Sequence, residues 1–198
     1  MEKIFKEIKP VENEIAGMFR GASMSFELAD SGKVNPHYKP YTATADNCQT
    51  CVAVFKARLD GFDVYAKPFD ISNKMMDSLS RNTSLAWIDK VTGTFPVYIQ
   101  PKETYIPRLL KWFDDNLIDD NYYTIEFYRK GTSDGHIMII FKRENKIILY
   151  DPQSNDLLKD DDLISFLFII RKRTIKLINI SNCFLNKPVL DCIVEVAK

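Results

Sequence analysis

The sequence of 198 residues predicts an α+β fold. Three observations carry that expectation. Helical signals dominate the first half of the chain. Three strand-like runs cluster between Tyr122 and Tyr150, two of them joined by a tight connection. The length and the balance of 45% apolar to 27% charged residues suit one ordinary domain with a proper core. Residues 1–198 are therefore expected as a single domain. An N-terminal helix and irregular arm fill 1–46, and the core fills 47–198.

Lys3 to Met18 could form an amphipathic helix, interrupted near Pro10. Gly21 to Asp46 is rich in Gly, Ser, Pro, Asn and Thr and reads as a long irregular arm, with a turn at Asn35-Pro36-His37-Tyr38. Asp46 and Asn47 are good N-cap residues, and Gly61 is a good stop. Between them Cys48, Val52, Phe55 and Leu59 recur at helical spacing. Phe62 to Ala66 alternates as a strand that ends before Pro68. Ile71 to Ala86 is mixed and partly helical, and Tyr105 to Leu117 has a helical apolar pattern. Strands are expected at Tyr122–Tyr128, His136–Phe141 and Lys146–Tyr150. Glu144 and Asn145 turn the last two into an antiparallel hairpin. Leu163 to Ile170 is expected as a helix, and Thr174 to Ile180 as a further strand. Helices first and an antiparallel sheet later make an α+β arrangement.

Lys plus Arg equal Asp plus Glu at 27 each. This balance removes the electrostatic argument for nucleic acid or an anionic membrane as partner. The N-terminus lacks the apolar core of a signal peptide. The longest apolar run, Ile164–Ile170, falls far short of the roughly 20 residues a membrane helix needs. The expectation is a chain made as a soluble cytosolic protein.

Cys48 falls at the start of the helix that follows Asn47. Unpaired backbone N–H groups and the helix dipole favour negative charge there, which suits a thiolate nucleophile and an oxyanion. The plainer reading is a small residue at a helix start. His136 opens an apolar strand; alone it is an ordinary histidine satisfied by backbone. His37 lies in the arm and reads as a turn residue. Asp151 closes the next strand, before Pro152 and Gln153, where a turn alone would explain it. The hairpin, however, makes His136 and Asp151 neighbours at its mouth. An aspartate there can orient an imidazole and stabilise its charged form. Thiol, imidazole and carboxylate thus fit the three roles of a catalytic triad.

These residues resemble a known family. Asn47-Cys48-Gln49-Thr50-Cys51-Val52-Ala53, followed by Arg58-Leu59-Asp60-Gly61-Phe62-Asp63-Val64, resembles the signature of the papain-fold toxins of glutamine deamidase type. Gly135-His136 and Asp151-Pro152-Gln153 resemble its later motifs. Asn35-Pro36-His37-Tyr38 resembles an element that precedes the cysteine motif in versions attached to phage head proteins and polymorphic toxins. The likeness spans Val34 to Asn155, and weakly Leu177 to Ile180. The 15 positions from His136 to Asp151 are similar to the interval in injected effectors that deamidate host glutamines. Leu59 and Asp60 depart from a run that is Arg-rich in the family.

The resemblance implies a papain-like fold, with the nucleophile helix packed on a mostly antiparallel sheet. It implies Cys48, rather than Cys51, as nucleophile in a triad with His136 and Asp151. The Cys48 N–H, with the Asn47 or Gln153 side chain, would serve the oxyanion or orient the substrate. It implies a protein substrate, an immunity or inhibitor protein as a further partner, and a setting of delivery into another cell or of phage association. No cofactor or metal is expected. The Cys48–Cys51 spacing would also suit a redox disulfide, but an irregular polar arm precedes it instead of a buried strand. A zinc site would need a second chelating pair, which Cys183 and Cys192 are too far apart to supply. The same triad serves side-chain deamidation, proteolysis and acyl transfer, and the residues leave these open. A non-catalytic binding module is the alternative from another class.

Overall fold

Gly61 explains where the central helix ends. Its φ is +99°, and a Cβ there would stand 2.5 Å from the Gly21 carbonyl oxygen, so no other residue fits without movement. The Gly61 N–H donates to Arg58 O at 2.9 Å and the Phe62 N–H to Ala57 O at 3.0 Å, the paired bonds of a Schellman stop.

The computed structural model describes residues 7–30 and 32–196. In chain order the elements are β1 (Glu14–Ile15), β2 (Met18–Phe19), α1 (Phe26–Ala29), α2 (Cys48–Leu59), β3 (Val64–Ala66), α3 (Lys74–Arg81) and β4 (Trp87–Asp89). There follow α4 (Ile106–Asn116), β5 (Tyr122–Tyr128), β6 (Gly135–Arg143), β7 (Lys146–Asp151), β8 (Asp156–Lys159), α5 (Asp160–Ile169), β9 (Lys176–Asn179), β10 (Cys183–Leu185), α6 (Lys187–Ile193) and β11 (Val194–Val196). Every pairing between these strands is antiparallel, and the fold is α+β.

The chain divides into two compact units. The first comprises Met1–Pro96, Pro152–Asn155 and Asn182–Lys198, as far as these are described; the second comprises Val97–Asp151 and Asp156–Ser181.

In the first unit every residue of α2 from Gln49 to Arg58 is buried. The helix is enclosed on all sides, so it needs no amphipathic stripe. Two charged side chains are enclosed with it. Lys56 reaches Asp60 Oδ1 at 2.6 Å, and burial pushes its ammonium below the ordinary value against that carboxylate. Arg58 is 1% exposed and donates to Ala29 O at 2.8 Å, Val64 O at 3.1 Å and Asp63 Oδ1 at 2.6 Å. It fastens α1, α2 and β3 together, a structural use for the arginine of the family-like motif. Short strand pairs border the helices: β3 with β11, β4 with β10 and β1 with β2.

The expected helix over Lys3–Met18 is not formed among the described residues. From Glu14 the chain makes a hairpin instead, Glu14–Ile15 against Met18–Phe19. Ala16 and Gly17 turn it with φ of +49° and +87°, both left-handed as a two-residue hairpin requires. Part of that predicted helix, residues 3–6, lies outside the described residues.

The second unit is a sheet of order β8-β7-β6-β5-β9. Glu144 and Asn145, with φ of +52° and +58°, make the predicted two-residue turn between β6 and β7. Alternate residues Tyr123, Ile125 and Phe127 of β5 and Met138 and Ile140 of β6 point to one side. There they share a core with Leu109 and Phe113 of α4 and with Leu163 and Leu167 of α5. Fully burying a side chain such as Phe113 is worth about 1.5–3 kcal/mol. β8 is an element the sequence did not predict; it pairs with β7 across the turn at Pro152–Asn155.

Candidate functional site

The sheet unit carries the imidazole and the carboxylate. In the β6–β7 register Ile139 faces Tyr150, and continuing that ladder sets Met138 against Asp151, so His136 lies one diagonal step away on the same side. That diagonal is short enough for His136 Nε2 and Asp151 Oδ2 to stand 2.7 Å apart. An ionised carboxylate only accepts, so the hydrogen is on Nε2. Both side chains are nearly enclosed, 9% and 12% exposed. Phe127, the register partner of His136 on β5, holds the imidazole edge to face with ring centroids 5.8 Å apart. Phe127 is held in turn by Phe166 of α5 at 5.1 Å.

The helical unit carries the thiol. Cys48 is the first residue of α2 and is partly exposed, and its Sγ donates to Gln49 Oε1 at 3.2 Å. Asn47 stands in the cap position, but its side chain makes no cap hydrogen bond. The expected capping role is thus corrected, because the amide is committed elsewhere. Asn47 Nδ2 donates to Lys67 O at 3.0 Å and to Asn35 Oδ1 at 3.4 Å. Its Oδ1 accepts from Gln153 Nε2 at 3.2 Å and from Cys51 Sγ at 3.3 Å. Asn47 is 0% exposed. The first-turn N–H groups of α2 thus receive no side-chain oxygen from Asn47, and helix geometry gives them no acceptor within the helix.

Asn35 is a further member that sequence reasoning treated only as part of a turn. The turn exists, with Tyr38 N–H on Asn35 O at 3.0 Å. The buried Asn35 amide also donates to Thr44 O at 2.9 Å and to Gln153 O at 3.0 Å. Its place in the Asn-Pro-x-Tyr element was the available signal. Of the predicted residues, the structure pairs His136 with Asp151 and Asn47 with Gln153.

Cys51 is fully buried, as its place one turn beyond Cys48 suggested. Cys183 is buried as well, and desolvation, helped by the Asp89 carboxylate, pushes its thiol up to about 12. None of the four cysteines is in a disulfide. Among the described residues no group of three or more His, Cys, Asp or Glu is placed to hold a metal ion, and no helix is long and apolar enough to cross a membrane.

The family model of papain fold toxin 1, glutamine deamidase, matches residues 46–155, more than half of the chain. The chain belongs to this papain-fold glutamine deamidase family. The matched span of this papain-fold toxin begins two residues before Cys48 and ends two residues after Gln153. It therefore contains Asn47, Cys48, His136, Asp151 and Gln153 and leaves out Asn35. No curated protein matches the chain. Hydrolysis of a carboxamide is the general kind of chemistry to which the family belongs.

Proposed function

We propose that this papain-fold toxin is a cysteine-dependent hydrolase that converts a glutamine side chain of a target protein to glutamate, with Cys48, His136 and Asp151 as its triad. The observation that carries the reading is the 2.7 Å contact of His136 Nε2 with Asp151 Oδ2, which supports the tautomer a general base needs. His136 Nδ1 takes the Cys48 proton. The thiolate attacks the carboxamide carbon, and the tetrahedral intermediate collapses as His136 returns the proton to the departing ammonia. A thioester remains. Water, deprotonated by His136, hydrolyses it to glutamate and restores the thiol.

The Cys48 backbone N–H, at the start of α2, is the primary oxyanion donor in this proposal. Of the two amides considered from the sequence, Asn47 has its hydrogens on Lys67 O and Asn35 Oδ1. Asn47 therefore orients the helix start; Gln153, whose Nε2 donates to Asn47 Oδ1 at 3.2 Å, is proposed with it to orient substrate or assist at the oxyanion. Membership of a toxin family supports a protein target in another cell, and an immunity protein that blocks the enzyme in its producer.

Replacing Cys48 by Ala tests the reading. Turnover should fall by about 10³-fold or more with an unchanged fold. Intact mass spectrometry of the target separates the chemistries, because deamidation exchanges NH2 for OH without fragments whereas proteolysis yields two pieces. Full turnover by Cys48→Ala would overturn the assignment.

A further inference from the structure

Tyr41 combines two unusual properties. Its relative exposure is 103%, the highest among the large hydrophobic residues of the described chain. Its φ is +62°, in the left-handed region that disfavours a residue with a bulky side chain. Pro40 and Tyr41 are the central residues of a turn from Lys39 to Thr42. Positive φ at the second central position is the demand of a type II turn, where glycine is the ordinary choice, and proline is common at the first. A tyrosine there loses conformational energy and also leaves its ring in water. Among the described residues no packing recovers either loss, and strain of this kind persists where a function uses it.

The turn is firmly anchored. Thr42 Oγ1 donates to Lys39 O at 2.8 Å, and the Lys39 N–H donates to Thr44 Oγ1 at 3.0 Å. The Thr44 carbonyl accepts from Asn35 Nδ2 at 2.9 Å, and Asn35 is bonded to Asn47, the residue before Cys48. An aromatic on a preorganised turn binds a protein surface with little backbone ordering cost, and tyrosine is enriched at such anchors.

We infer that the Lys39–Thr42 turn grips the protein that bears the glutamine, with Tyr41 as its anchor. The inference rests on the deamidase reading above. It makes Tyr41 a specificity-determining residue that recognises folded protein and is dispensable for the amide chemistry.

Two substrates separate these roles: a blocked glutaminyl-glycine dipeptide, and the soluble proteins of a bacterial extract read by mass spectrometry. Tyr41→Asn and Tyr41→Gly accept the left-handed backbone and remove the ring. Their Tm should be equal to or above that of the unaltered enzyme. Hydrolysis of the dipeptide should stay within about twofold, while deamidation of the most heavily modified extract proteins falls by about tenfold or more. Unchanged rates on both substrates would overturn the inference. Equal losses on both would also overturn it, by placing Tyr41 in the machinery shared by all substrates. If the unaltered enzyme deamidates neither substrate, the deamidase reading falls first and the inference with it.

Discussion

His136 and Asp151 meet across a diagonal of the β6–β7 ladder: Asp151 stands opposite Met138, two residues beyond His136, and the Nε2–Oδ2 distance is 2.7 Å. The pair thus depends on the two-residue turn at Glu144–Asn145, because a register slip of one residue would send Asp151 to the other face.

Asp151 should matter through both charge and position. Asp151→Ala removes the acceptor for Nε2–H and should lower kcat on a blocked glutamine dipeptide by about 10²–10⁴-fold. Asp151→Asn keeps an acceptor oxygen but loses the charge, and it should fall less. Steady-state kinetics of the two variants check this, and equal activity of Asp151→Ala and the unaltered enzyme would exclude the role.

The cysteines should separate by reactivity. Iodoacetamide at neutral pH should label Cys48 first, since it is partly exposed at a helix start. Cys51 at 0% and Cys183 at 2% exposure should stay unlabelled in the native protein. The Cys183 thiol, pushed to about 12, supplies almost no thiolate at neutral pH. Both should react in urea. Peptide mapping reads the order directly.

Asn35 should be structural for the site. Asn35→Ala strips a donor from the carbonyls of Thr44 and Gln153, and each buried group left unsatisfied costs about 1–3 kcal/mol. At about 2–4 °C per kcal/mol for a chain of this size, Tm should drop by several degrees. Asn35→Asp should be worse, because it sets an acceptor-only group against Asn47 Oδ1 and two carbonyl oxygens. Thermal unfolding of the two variants measures both the drop and its order.

Where local signals agree with the fold, the sequence was legible. β5 spans Tyr122–Tyr128 as its alternation predicts, and Gly61 ends α2 as expected. The tight turn at Glu144–Asn145, legible in the sequence, makes His136 and Asp151 neighbours. Strands of three residues were legible only in part. β3 lies within the alternation expected at Phe62–Ala66, but its partner β11, with Val196 against Val64, is too short a run to show a period. The role of Asn47 was misread for a related reason. Its composition suits a cap, but partners at Asn35, Lys67 and Gln153 outcompete the helix for the same amide.

The two outer strands of the sheet follow the family-matched span in the chain. β8 begins at Asp156 and β9 at Lys176, beyond the last matched residue at 155. A fragment trimmed to 46–155 would keep β5, β6 and β7 and lose the neighbours of both outer members. It would carry two bare rows of backbone donors and acceptors on apolar strands, the ordinary template for intermolecular pairing. The first unit would be cut as well, since β10, α6 and β11 also follow residue 155. An expression boundary drawn from the motifs alone would therefore yield an aggregating product in place of a minimal enzyme.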